Sequence, residues 1–334
     1  RQPTSPPKFK FCRITRRGEL LPSGLYPKKQ HMKKLSKTLC ILITLALPAG
    51  CINEDMSDCP PPYNTELTFS YSGDRQEPAM FSRMIVGVTL VVFDRAGGER
   101  VLDKTVVQAD LNRFQGTELY LPAGDYRIVC WGNAFDDTEL LSGSLSESRV
   151  HAPAYGKGEK IATNDHLYYG ECDITVPTTA NASGKVTGDI PFRSAHIDMR
   201  IYIKGVNGLS DPSAWPELEI GNLMPQYDIR MNAVQPFGAT YYPALARDDG
   251  KKALAACFQV LRFADDNPVT VTVREPAPGC AVKVAVDLRE YMEKNAISVD
   301  GLHEAAVEML IEFTDLGVSI TIPDWSSGTT DPEI

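Results

Sequence analysis

The chain has no Gly-x-Ser-x-Gly elbow, no Gly-rich phosphate loop and no His-Glu-x-x-His helix. The signatures of serine hydrolases, P-loop NTPases and zinc proteases are therefore missing. Histidine is scarce, with five in 334 residues. His151, His166, His196 and His303 lie far apart, and none shows a second ligand at helical or strand spacing. Eight cysteines include no Cys-x-x-Cys pair and none with a His at a useful offset, so zinc is not expected, nor is any other metal or cofactor. Asp136-Asp137 and Asp248-Asp249 lack the repeated oxygen donors of a calcium loop and read as solvated turns. Glu308 and Glu312 read as a solvent-facing stripe rather than as paired catalytic carboxylates. Trp131, Trp215 and Trp325 fall at strand ends, where core packing is the usual fate of tryptophan. No catalytic residues are expected, and an enzyme is not indicated.

Long apolar runs are also absent. The longest candidate, residues 39–47, has nine residues and cannot cross a core of about 30 Å as a helix. Its setting is more informative than its length. Met32-Lys33-Lys34-Leu35-Ser36-Lys37 precedes it and Pro48-Ala49-Gly50-Cys51 follows. A basic stretch, a short apolar stretch and small residues before a cysteine resemble a bacterial lipoprotein signal, in which the thiol is acylated and becomes residue one after cleavage. Pro48 stands where such signals usually carry an aliphatic residue, and Leu47 sits one step early. Residues 1–31 are basic and precede a good initiator at Met32. They read as an upstream extension outside the natural protein, and residues 32–50 as the signal.

Charge of one sign then becomes scarce too. Residues 1–50 carry eleven Lys/Arg and one Glu. Without them, 34 basic and 43 acidic residues become 23 and 42, and the net charge moves from −9 to −19. Nucleic acid and anionic lipid would both repel so acidic a chain, so no nucleic-acid partner is expected. Membrane attachment would come through acyl chains on Cys51, and stable anchoring needs more than one chain. Residues 51–64 are acidic and end in Pro60-Pro61-Pro62, which suits a stalk. Asn53-Glu54-Asp55 resembles an outer-face sorting signal, or is a solvated linker with no address. Beyond the leader and Cys51, five cysteines remain: Cys59, Cys130, Cys172, Cys257 and Cys280. An exported chain permits disulfides, and an odd number leaves at least one thiol free.

Past the stalk the pattern is all-β. Residues 85–93 are apolar on both faces, as in a central buried strand. Strands at 66–71, 101–107, 118–121 and 126–131 are separated by turn residues such as Pro122-Ala123-Gly124-Asp125. Residues 110–114 read as one helical turn, 135–165 as a long loop, and 167–176 as the strand that closes a first domain over 65–176. Residues 177–187 have linker composition, and a second domain covers 188–334. There Ile197, Met199, Ile201 and Ile203 alternate with Asp198, Arg200, Tyr202 and Lys204, the period of a half-buried strand. Strands at 269–273 and 282–286 and a short helix at 288–295 follow. Val307, Met309, Ile311 and Phe313 alternate in the same way, and a turn at Asp315-Leu316-Gly317 leads to 318–322. Strands this short and frequent favour two sandwiches over a βαβ sheet.

Several motifs, in order, resemble the FimB-type fimbrial anchor lipoproteins. They are Cys51-Ile-Asn-Glu-Asp-Met-Ser-Asp-Cys59-Pro, Val91-Val-Phe-Asp94, Leu121-Pro-Ala-Gly-Asp-Tyr126, Val129-Cys-Trp-Gly-Asn133 and Ile320-Thr-Ile-Pro-Asp-Trp325. The resemblance implies two tandem transthyretin-like β-sandwich domains. It also implies a place at the base of a fimbrium, on the outer membrane and exposed at the cell surface, with fimbrial shaft subunits as partners. Such subunits join by strand pairing, in which main-chain hydrogen bonds carry the affinity. The alternative is a cell-surface adhesin that binds a ligand or glycan. Two finer expectations accompany this reading. Cys59 and Cys130 form a disulfide that clamps stalk to sandwich, or Cys130 is a buried free thiol. Residues 318–325 pair with a shaft subunit, or 318–322 is an ordinary internal strand.

Overall fold

Strand β1 (Thr65–Ser70) lies between two others rather than at an edge. It pairs antiparallel with β4 (Gly116–Leu119) and parallel with β9 (Val186–Pro191), in the sheet order β4-β1-β9. The computed structural model describes residues 63–325 apart from 78, 179–184, 207, 236 and 277–280. The first half runs β1, α1 (Met80–Met84), β2 (Gly87–Asp94), β3 (Arg100–Val107), α2 (Gln108–Leu111), β4 (Gly116–Leu119) and β5 (Gly124–Gly132). It continues through β6 (Glu139–Leu141), β7 (Arg149–His151), β8 (Tyr168–Val176), β9 (Val186–Pro191) and β10 (Arg193–Ser194). The second sheet of this half has the order β10-β8-β5-β2-β3. Leu67, Phe69, Leu90, Ile128 and Ile190 meet between the two sheets.

The second half runs β11 (His196–Lys204), β12 (Glu217–Leu223), β13 (Gln226–Asp228), β14 (Ala239–Tyr241), β15 (Ala246–Asp248), β16 (Ala253–Leu261) and β17 (Thr270–Arg274). It ends with β18 (Val282–Asp287), α3 (Leu288–Lys294), β19 (Ala306–Thr314) and β20 (Gly317–Thr321). Its sheets, β15-β16-β11-β19-β20 and β14-β12-β17-β18, enclose Met199, Ile201, Phe258, Val271 and Met309. The Asp287 side chain caps α3 by accepting from the Glu290 amide, which satisfies one of the donors a helix start leaves open. The chain is all-β with a few short helices, as its alternation implies. Among the described residues no helix is long and apolar enough to cross a membrane.

The double-sided apolarity of β2 has a physical cause. Val88, Leu90 and Val92 enter the core of the first sandwich, while Val91 and Phe93 face the other way into a separate core. On β5, Ile128 and Cys130 likewise point inward and Val129 and Trp131 outward. The outer core is completed by Val150, Tyr169, Tyr227, Ile229 and Leu261. It lies where a small sheet, β13-β7-β6, joins a strand of the second half to two from the first. Among the described residues there are thus three large apolar cores and a small fourth around Tyr202, Ala253 and Leu310.

Two boundaries and one burial pattern differ from what the sequence suggests. The stretch 135–165 contains β6 and β7, which are only three residues each; they pair with each other, and β7 also pairs with β13, far along the chain. The expected linker 177–187 and the domain start at 188 do not hold, because β9 begins at Val186 and pairs with β1 from Thr65 to Ser70. The first sandwich thus closes at β10, since turn-rich composition looks the same whether it joins two domains or two strands of one. The polar face of β11 is also covered: Asp198 and Tyr202 are buried alongside the isoleucines.

Candidate functional site

The edges of the sheets set out where another chain could add. β3 carries Arg100, Asp103 and Lys104, β9 carries Asp189, and β18 carries Lys283 and Asp287. Charges of this kind blunt an edge against unwanted pairing. β20, Gly-Val-Ser-Ile-Thr, has neither charge nor proline, and among the described residues it pairs on one side only, with β19. Leu316 is fully exposed in the turn before it, and Val318 and Ile322 are 42% and 39% exposed. Val284 of β18, Phe313 of β19 and Ile320 of β20 are half-buried against the second core, and Lys283 Nζ lies 5.8 Å from the Phe313 ring. The end of β20 is held from below by Tyr291, whose hydroxyl is 2.6 Å from the Glu308 carbonyl and 3.2 Å from that of Thr321.

Beyond β20 the chain turns back over the outer face of its own sheet. Trp325 packs edge-on to Tyr202 with centroids 5.4 Å apart, and Lys204 Nζ sits 4.4 Å over its ring. Lys251 donates to the Tyr202 hydroxyl at 3.0 Å. The first sandwich offers no comparable opening at its start, because Thr65, Leu67 and Phe69 of β1 are buried at the centre of a sheet.

The remaining sequence candidates disperse. Cys51 and Cys59 lie outside the described residues, as does Cys280. Cys130 is a free thiol, wholly buried, and burial pushes its pKa well up. A bridge from Cys59 would have to reach a side chain sitting between two sheets. Cys172, half-buried on the neighbouring strand, is pushed up to about 12, chiefly by burial. Glu308 is engaged by Arg200 at 2.7 Å, an ion pair that leaves no free carboxylate for acid–base work. Asp248 accepts from the Lys251 amide at 2.9 Å, and Asp249 pairs with Arg247 at 2.6 Å, so both stabilise a turn. Burial raises the pKa of Asp137, helped by the adjacent Asp136. Trp131 is core, while Trp215 lines a cleft of about 430 Å³ with Lys160, Glu217, Tyr242, Leu245 and Glu275.

One cluster escaped the sequence reading. His166, His196 and Asp198 bring a ligand atom each within 4.8 Å of one another. The signal was present as His196-x-Asp198, a spacing of two that puts both side chains on one face of a strand. The third member, thirty residues upstream of His196, had no sequence cue.

The family model of the fimbrillin-A associated anchor proteins Mfa1 and Mfa2 matches residues 56–330. No curated protein matches the chain. Among solved structures, the fold is similar to that of a candidate adhesin from Bacteroides ovatus, with TM-score 0.62 and 15% identity over 78% of this chain and 93% of that one. It is also similar to a candidate polysaccharide-binding protein from Bacteroides thetaiotaomicron, with TM-score 0.59 and 15% identity over 78% and 96%. A third similar structure is the fimbrial anchor protein Mfa2 from Porphyromonas gingivalis, with TM-score 0.55 and 12% identity over 77% and 94%. At these identities the likeness is one of fold.

Proposed function

Since the chain belongs to the family of fimbrillin-A associated anchor proteins, we propose that it is the lipid-anchored subunit that tethers a fimbrium to the outer membrane, joined to the shaft by strand pairing at β20. The observation that carries this reading is the contrast between two strands. β1 fills the centre of its own sheet, so the first sandwich is complete without a strand from outside. Among the described residues no strand pairs with the outer edge of β20, which lies beside an apolar seam, and an open edge of this kind is what strand addition needs. The same edge would be a liability in a protein with no partner for it. Attachment to the membrane rests on Cys51, the acyl acceptor read from the sequence.

Two variants test the two ends separately. Val318→Lys puts a charge on the exposed side of β20, and Ser319→Pro interrupts its ladder. Both should leave the protein at the surface and release fimbriae into the medium. Cys51→Ala should lose fatty-acid label and shed fimbriae together with the anchor. Normal tethering by correctly folded Val318→Lys and Ser319→Pro chains would sink the β20 reading. Unchanged labelling and fractionation of Cys51→Ala would sink the lipid anchor.

The cleft beside Trp215 and Tyr242 supports a second reading, in which the protein also binds a glycan. Lys160, paired with Glu217, lies over the Tyr242 ring, which leaves Trp215 as the aromatic group that would stack on a sugar. Trp215→Ala would then abolish glycan-array binding and leave tethering intact.

A further inference from the structure

His166 lies in the segment leading into β8, whereas His196 and Asp198 stand on the outer face of β11. Asp198 Oδ1 is 3.6 Å from His166 Nδ1 and 3.7 Å from His196 Nε2. The two imidazoles meet edge to face with centroids 5.0 Å apart. We propose that these three side chains bind a divalent transition-metal ion of the zinc type, which ties the entry to β8 to the first strand of the second sandwich.

The geometry argues for a cation rather than a plain hydrogen-bonded cluster. His196 Nδ1 is 2.9 Å from the Leu167 carbonyl, so that nitrogen carries the proton and donates. The lone pair of Nε2 is then left facing a carboxylate oxygen at 3.7 Å, beyond hydrogen-bond range. Two electron-rich atoms then face each other at this distance, an arrangement that a cation bound to both would stabilise. Bonds of about 2.0–2.1 Å in a tetrahedral zinc site place ligand atoms roughly 3.3–3.5 Å apart. The observed separations at Asp198 exceed this by a few tenths of an ångström. His166, 42% exposed, can turn to close the remaining edge.

The supporting contacts have the form found around metal-bound histidines, where the second ring nitrogen donates to a carbonyl and the carboxylate is itself hydrogen-bonded. Gln259 Nε2 donates to Asp198 Oδ1 at 3.1 Å. The segment carrying His166 is stitched to the same residue, because the Asn164 amide donates to the Gln259 carbonyl and the Gln259 amide donates to Thr163 Oγ1, both at 2.9 Å. The nearby cation, Arg262, is directed at the carbonyls of His196, Val299 and His303. Two imidazoles and one carboxylate suit zinc better than calcium or magnesium. A tetrahedral ion would take a fourth ligand besides these three.

The test uses the full chain without a polyhistidine tag, stripped by EDTA dialysis. It is titrated with ZnCl2 by calorimetry and with CoCl2 by visible absorption. One ion per chain, the intense bands of four-coordinate cobalt and a zinc-dependent rise in Tm are expected. His166→Ala changes a half-exposed side chain, so the fold should survive. It and Asp198→Asn should each weaken zinc binding by more than about 100-fold, since changes even to supporting residues cost roughly 10–100-fold. His303→Gln should bind like the wild type. Absence of saturable zinc binding, or binding that persists unchanged in both folded ligand variants, would overturn the proposal.

Discussion

The indole nitrogen of Trp131 donates to the carbonyl of Ile229 at 2.9 Å, linking β5 of the first sandwich to the turn after β13 in the second half. Trp131 is 0% exposed and packs between Tyr169 and Tyr227. The Tyr227 hydroxyl donates to the Ala195 carbonyl at 3.1 Å and accepts from the Arg262 amide at 2.9 Å. A polar thread therefore runs through the core that joins the halves.

Truncation there should be costly. Trp131→Ala is expected to lose about 3–5 kcal/mol, the usual range for a buried tryptophan. Trp131→Phe keeps most of the volume but strands the Ile229 carbonyl, for about 1–3 kcal/mol. Urea unfolding followed by circular dichroism checks both. The joined core also predicts a single transition for the wild type. If Trp131→Ala costs under 1 kcal/mol, the outer core contributes little to stability.

Gly205 follows β11 with φ +72°, and a Cβ on it would lie 1.8 Å from the Phe313 carbonyl oxygen. Gly301 has a similar φ of +74° with open space around it. Gly301→Ala should therefore cost only the left-handed backbone penalty, about 1–2 kcal/mol. Gly205→Ala adds a backbone clash and should cost clearly more. Comparing the urea midpoints of the pair separates the clash from the backbone term, and equal losses would refute it.

Arg230 engages Glu171 with two hydrogen bonds, at 2.8 and 2.9 Å. This holds the Glu171 pKa below the usual glutamate range. A depressed carboxyl pKa contributes stability above the unfolded value, and that contribution disappears as pH falls through the folded value. The pair should thus leave stability unchanged between pH 7 and about 5 and weaken it below about 4.3. Arg230→Gln should flatten that acid limb in thermal melts at stepped pH. An unaltered acid limb would show that solvent screening cancels the pair.

Cys130 should resist alkylation in the native protein, because it is buried and its thiol is hard to ionise. Unfolding in guanidinium without reductant should expose it to iodoacetamide. Peptide mapping reads the outcome. An unlabelled Cys130 in that sample would mean that it had formed a bridge, and the peptide linked to it would show whether Cys59 is the partner.

The strands that could be read from sequence were those whose surroundings match their own pattern. β19 alternates because one face meets the second core and the other meets less cover. β2 is apolar throughout because it separates two cores. β6 and β7 could not be read, since three residues carry no period and the second partner of β7, β13, is some 75 residues away. β9 was hidden by Thr187, Gly188 and Asp189, small and polar residues whose strand character comes from pairing with β1 rather than from propensity. At the candidate site, the uncharged run of β20 was legible and its one-sided pairing was not. His196 and Asp198 were in plain view at strand spacing. What sequence cannot supply is the return of His166 to the same spot, which depends on Asn164 and Thr163 docking against Gln259.

The placement of β1 also bears on mechanics. Tension entering the body at Thr65 pulls along the strand axis, against six register pairs with β9 and four with β4. Loaded along its length, such a ladder shears, and its hydrogen bonds share the force instead of opening one after another. An end strand peeled sideways would give way at a fraction of that load. Under steady drag the weak link should therefore lie in what attaches to this body, at either end, before the body itself.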